Sequence, residues 1–203
     1  MSGIKPEWIE GLASRDADER AKAAAEIYRA GSQRAGSAVK TWWQNEELAR
    51  LCGTNPAATV GLAVQPLTFA KIREANDFPR LAQVPPEQDA SEFELHFPGG
   101  VALDMLTTRD LGGTGAIARF LAKQGEGVQQ VEFICEDVDR AAAILQSDFG
   151  VEPVYSSKRP GADGTRVNFF LVSPPDGQKV LIELYEAPRN AQGDVPTLQT
   201  GDN

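Results

Sequence analysis

A strand, a helix and further strands follow one another twice in this chain, and that duplication constrains its fold more than any other feature. The first copy opens with TVGLAV (59–64) and a helix-like stretch around Phe69, Ile72 and Ala75. A proline-rich connector, VPPEQD, then leads to EFELHF (92–97), a PGG turn and VALDML (101–106). GTGAIARFLAKQG (113–125) reads as a linking helix ended by glycine. The second copy is VQQVEFIC (128–135), a helix over 137–150, a strand near Val154, a glycine-rich loop, RVNFFLV (166–172), a PPDG turn and KVLIELYE (179–186). Each copy is expected to close its sheet against the other.

Side chains at i and i+2 of a strand share a face, so alternation sorts each strand into two sets. The apolar sets are Val60, Leu62 and Val64; Phe93, Leu95 and Phe97; Val101, Leu103 and Met105; Val131, Phe133 and Cys135; Val180, Ile182 and Leu184. These should pack on the two long helices. If the sheet curls, the opposite sets line a concave surface carrying Glu92, Glu94, His96, Asp104, Gln130, Glu132 and Glu183. An ordinary antiparallel sheet with one solvated face is the competing reading.

The first 55 residues differ in character and read as a helical N-terminal extension. Pro6 suits a first helical turn, and Asp16 is placed to cap a helix running to Gly31. A third helix is expected to carry Val39, Trp42, Trp43, Leu48 and Leu51 and to stop near Gly53. LASRDADERAKAAAEIYRAG resembles one HEAT-type helical repeat, and a single such unit must bury its apolar face against something else. A cap on the following domain is the expectation, with a partner-binding arm as the alternative. The chain divides into an extension (1–55), a main domain (56–190) and a polar tail (191–203) expected to be disordered.

Charge narrows the partners. Lys and Arg number 20 against 29 Asp and Glu, a formal net charge of −9, which argues against nucleic acid and anionic membranes. No run of 18 apolar residues predicts a membrane span, and MSGIKPEWIE lacks the apolar core of a secretory signal. A cytoplasmic protein acting on a small molecule is the expectation. Cys52 and Cys135 form neither a disulfide framework nor a zinc motif. A monomer and a homodimer are both compatible with two modules in one chain.

GEGVQQVEFICEDVDRAAAIL, KRPGADGTRVNFF and KVLIELYE, with TVGLAV and VALDML before them, resemble the methylmalonyl-CoA epimerases and their glyoxalase-like, vicinal-oxygen-chelate relatives. The resemblance covers roughly residues 58–188. It implies an α+β fold of paired βαβββ modules forming a cup-shaped sheet around a divalent metal ion. Its four metal positions fall on Thr59, Asp104, Gln130 and Glu183, so both of the family's histidines are missing. Asp104, Gln130 and Glu183 still offer oxygen, and His96, the chain's only histidine, is a candidate replacement ligand. Loss of imidazole shifts preference toward magnesium, manganese or calcium, or leaves no metal at all.

The family polarises a carbonyl and moves a proton at the adjacent carbon. Clustered carboxylates raise one another's pKa toward the range that such a base needs. Glu183, with Glu94 and Glu132, is the catalytic candidate. The expectation is a divergent isomerase, epimerase or lyase. A metal-free small-molecule binder and an interaction module with a vestigial site are the alternatives. SSKRPGADGTR (156–166) brings Lys158, Arg159 and Arg166 together with glycines, which suits an anionic group without forming a P-loop.

Overall fold

The computed structural model describes residues 4–173 and 179–188; the PPDG turn and the 191–203 tail lie outside them. Seven strands form one mixed, curled sheet in the order β2-β3-β1-β4-β7-β6-β5. They are β1 (Ala58–Ala63), β2 (Ala90–Phe97), β3 (Val101–Thr108), β4 (Gly127–Ile134), β5 (Arg159–Pro160), β6 (Arg166–Val172) and β7 (Val180–Glu186). β1 pairs with β3 and β4 with β7 in parallel. The antiparallel β1–β4 ladder joins the two modules at the centre. The α+β cup that the resemblance implies is therefore present.

The first module has three strands. Its connector carries Pro79, Pro85 and Pro86, which have no N–H to give a ladder, and forms a 3₁₀ turn over Pro86–Gln88 instead. The strand expected near Val154 is reduced to one bridge, Pro153 to Phe170, and the short β5 follows it.

Among the described residues there are six α-helices: α1 (Pro6–Gly11), α2 (Ala17–Val39), α3 (Glu46–Cys52), α4 (Pro66–Ala75), α5 (Ala116–Gln124) and α6 (Val138–Phe149). Asp16 caps α2 as expected, its Oδ1 accepting from the N–H groups of Asp18 (2.8 Å) and Glu19 (3.3 Å). Gly31 does not end that helix. It lies inside α2, where a Cβ would come within 2.7 Å of Val60 Cγ1, so glycine lets the helix touch the central strand. Val39 closes α2, Trp42–Gln44 form a 3₁₀ turn, and Asn45 caps a separate α3. A short helix and one long helix thus stand where the HEAT-like phrase implies a repeat unit.

The extension docks on the convex face. Leu12, Ile27, Val39 and Leu48 are fully buried, in one core cluster with Val60, Leu62, Leu103, Met105, Val131, Ile182 and Leu184 of the sheet. Trp42 stacks edge-on against Phe170 and Trp43 against Phe133, so both tryptophans are docking residues. Polar contacts reinforce the seam: Arg140 forks onto Glu47 through two 2.7 Å bonds, and Glu136 N–H donates to the Leu51 carbonyl. α5 takes the other side of the sheet. Its Ile117 and Leu121 join Ala63, Val84, Ala90 and Leu106 in a second, smaller core that closes one end of the concave face. Among the described residues no helix is long and apolar enough to cross a membrane.

Candidate active site

The concave face encloses a cavity of about 770 Å³. Its lining includes Glu92, Glu94, His96, Asp104, Gln130, Glu132 and Glu183, the polar sets of four strands brought together by the curl. Two rows organise them. Glu94, Asp104, Gly61 and Gln130 are successive partners across β2, β3, β1 and β4. Thr59, Glu132, Glu183 and Phe169 are successive partners across β1, β4, β7 and β6.

The floor is buried and acidic. Asp104 (6% exposed), Gln130 (7%), Glu132 (9%) and Glu183 (9%) are buried together. Gln130 Nε2 donates to Glu132 Oε1 at 3.1 Å and to Glu183 Oε2 at 2.5 Å, so one amide ties two carboxyl groups. Burial, then the neighbouring Glu132, Glu92, Glu183 and Glu94 charges, pushes the Asp104 carboxyl well above its usual range. Burial raises Glu183 likewise, with Glu132 and Glu92 adding to it. Glu132 is pushed up to about 8, mainly by burial and then by Glu92 and Glu94, although bonds from Gln130 and Asp104 oppose the rise. Glu92 reaches about 7, through burial and the charges of Asp163 and Glu94. Tyr185, on the same cavity wall, is pushed up to about 12 by burial and the three nearby glutamates, so its phenol keeps its proton.

Glu94 and His96 stand apart from the floor. Both side chains are mostly exposed, and His96 Nε2 lies 3.0 Å from Glu94 Oε2, so they form a pair on the rim.

Several lining residues escape alternation. The β1–β4 register shifts between Gly61 and Leu62, leaving Gln129 as the extra residue of a bulge. The bulge turns Gln129 to the cavity beside Gln130, and its Oε1 is buried with no partner among the described residues. Two consecutive glutamines in an otherwise alternating strand were the available signal. Arg80 and Glu87 from the connector, Arg119 from α5, and Tyr155, Arg159 and Asp163 from the second module's loop complete the wall. Lys158 turns instead to Glu186 (2.6 Å).

The implied metal meets a poor donor set. Gln130 offers its amide N–H₂ to the carboxylates, His96 lies on the rim, and Thr59 is not part of the lining. Among the described residues, no three His, Cys, Asp or Glu side chains are grouped to hold an ion. With no imidazole on the floor, Gln130 turned amide-first to the carboxyl groups and His96 on the rim, the residues present do not fit the divalent-ion site that the resemblance implies.

Paired modules, a curled mixed sheet and a polar cup define the glyoxalase-like, vicinal-oxygen-chelate fold, and this chain has it. Methylmalonyl-CoA epimerase from Mycobacterium tuberculosis is 33% identical over 68% of this chain and 91% of that one, with a TM-score of 0.53. A Streptomyces coelicolor methylmalonyl-CoA epimerase, in complex with 2-nitronate-propionyl-CoA, is 27% identical over 66% of this chain and 97% of its own, with a TM-score of 0.51. A hypothetical protein from Bacillus halodurans shares the fold at 22% identity over 66% of this chain and 94% of its own, with a TM-score of 0.51. An uncharacterised protein of Bacillus subtilis is 31% identical over 88 residues, which span 43% of this chain and 59% of that protein. No protein-family model matches the chain.

Proposed function

We propose that the protein moves a proton at a carbon adjacent to a carbonyl, as an isomerase, epimerase or lyase, with Glu183 and Glu132 as its acid–base pair. The observation that carries this reading is the Gln130 amide, which holds these two buried carboxyl groups side by side. A base whose pKa lies near the working pH is both available in its charged form and strong enough to take the proton. Of two coupled carboxyl groups, one remains protonated while the other is charged. The charged member takes the proton from the substrate carbon, and the protonated member returns one. The neutral Tyr185 phenol lines the same cavity and offers an O–H to the enolate oxygen that develops. Glu94, exposed on the rim, passes protons between floor and water.

The test is solvent-isotope exchange. Methylmalonyl-CoA, propionyl-CoA and a set of 2-oxo acids are incubated in deuterium oxide with the wild type, Glu183→Gln and Glu132→Gln. Incorporation beside the carbonyl by the wild type, lowered about 100-fold or more in Glu183→Gln, is the expected result. Equal incorporation by Glu183→Gln would remove Glu183 from the mechanism.

The unpartnered Gln129 Oε1 favours a second reading, a metal-free protein that binds a small molecule without converting it. Tight binding without exchange would select that reading.

A further inference from the structure

The cavity is sharply divided in charge. Its acids lie mainly on the floor, whereas Arg80, Arg119 and Arg159 stand on the wall formed by the connector, α5 and the second module's loop. Among the described residues neither Arg119 nor Arg159 has a carboxylate partner; Arg159 rests 4.4 Å over the Tyr155 ring and Arg119 reaches the Thr114 carbonyl. Arg80 alone is paired. It grips Asp163 as a fork, Nη1 to Oδ1 at 3.1 Å and Nη2 to Oδ2 at 2.5 Å. This is the geometry with which a guanidinium takes a free carboxylate or a phosphate.

We propose that Arg80 is the anion-binding residue of the cavity and that Asp163 occupies it as an internal stand-in, displaced when the carboxylate or phosphate of a small-molecule ligand enters. Three observations support it. The pair is exposed, 70% at Arg80 and 37% at Asp163, so its loss costs little and a ligand can compete for it. The two segments stay joined without it, because Asp163 N–H donates to the Gln83 carbonyl (3.0 Å) and Gln88 Nε2 to the Pro160 carbonyl (2.8 Å). Asp163 also sits at φ +49°, a left-handed conformation rare outside glycine, which Arg80 and the Gln83 N–H (2.8 Å to Oδ1) help to hold. The buried floor offers an anion no cation, so the ligand is oriented with its charge at the arginine-bearing wall and its neutral end inward. This inference is independent of the reaction on the floor.

Calorimetric titration with pyrophosphate and with malonate, at low salt, tests it on four forms: wild type, Asp163→Asn, Arg80→Gln and the double variant. Asparagine keeps the acceptor for Gln83 and removes the charge. Asp163→Asn is expected to bind at least one probe about fivefold more tightly than the wild type, and Arg80→Gln to abolish that gain. The probe that tightens more identifies the anion as phosphate or carboxylate. Asp163→Asn binding neither probe more tightly, or the double variant keeping the gain, would overturn the proposal. Nitrogen NMR of the wild-type arginine side chains gives a readout free of mutation. The Arg80 signal should move on addition of the tightening probe while that of Arg140, held by Glu47 elsewhere, stays; a still Arg80 signal contradicts the proposal.

Discussion

Gly61 and Glu132 hold corresponding places in the two modules, and the missing side chain of one leaves the room that the other fills. Gly61 pairs in parallel with Asp104 as Glu132 pairs in parallel with Glu183, so the registers superimpose one module on the other. A Cβ on Gly61 would meet Gln130 Cγ at 2.6 Å and Glu132 Oε1 at 3.2 Å. The acidic floor therefore depends on an asymmetry between two otherwise matched strands.

Gly61→Ala should push Gln130 from its place between Glu132 and Glu183. Overpacking of this kind costs about 1–3 kcal/mol, which denaturant unfolding would detect. The isotope exchange should fall with it, because the two carboxyl groups lose the amide that holds them. Full exchange in a folded Gly61→Ala protein would show that the Gln130 bridge is not needed.

Stability should fall as the medium becomes more alkaline. A carboxyl group whose folded pKa is raised holds its proton more tightly in the folded chain. Its contribution is complete below the unfolded value of about 4.5 and is lost as pH rises through the folded value, about 7 for Glu92 and about 8 for Glu132. The melting temperature should drop between pH 5 and pH 9. Glu132→Gln should flatten that slope and gain about 1–3 kcal/mol at pH 8.5, where the wild type carries a buried charge with no cation paired to it. An unchanged slope in the variant would assign the pH dependence to the net charge of −9 instead.

Alternation made the floor legible in the sequence, because a two-residue period places Asp104, Gln130, Glu132 and Glu183 on one face whatever the sheet's partners are. It failed at Gln129, where a bulge inserts one residue and the period slips. Gly31 reads as a helix end because glycine commonly ends helices, yet here it serves a contact with Val60, 29 positions away. Nothing local encodes such a contact. The same holds for the cavity wall: Arg80 and Asp163 stand 83 residues apart on segments without periodic structure. The docking of the extension was legible only as a need, since an amphipathic helix must bury its face without naming the surface.

That Gly31–Val60 contact gives a test of how the extension is held. Alanine in a helix is about 1 kcal/mol better than glycine by propensity, but its Cβ would lie 2.7 Å from Val60 Cγ1. Gly31→Ala should therefore destabilise the protein. Val60→Ala in the same chain should recover part of the loss, giving a coupling of about 0.5–3 kcal/mol in a double-mutant cycle. Additive effects would mean that the helix and the strand do not meet there.

Divalent ions should leave the protein indifferent. A resident ion at a hundred times its Kd adds about 2.7 kcal/mol, which is roughly 5–10 °C in a chain of this size. Magnesium, manganese, calcium, cobalt, nickel and zinc are each expected to shift melting by far less. A large shift by one ion that Glu183→Ala removes would restore a metal to the floor.

The protonation of the floor carboxyl groups is the most direct measurement. Carbon NMR of labelled Asp and Glu side chains, followed from pH 4 to pH 10, reports each group separately. The account predicts a carboxyl group that stays protonated at neutral pH and titrates near pH 8, and whose signal disappears in Glu132→Gln. If instead Asp104, Glu132 and Glu183 all lose their protons at ordinary carboxylate values, below about pH 5, the floor holds no neutral acid and the acid–base account fails.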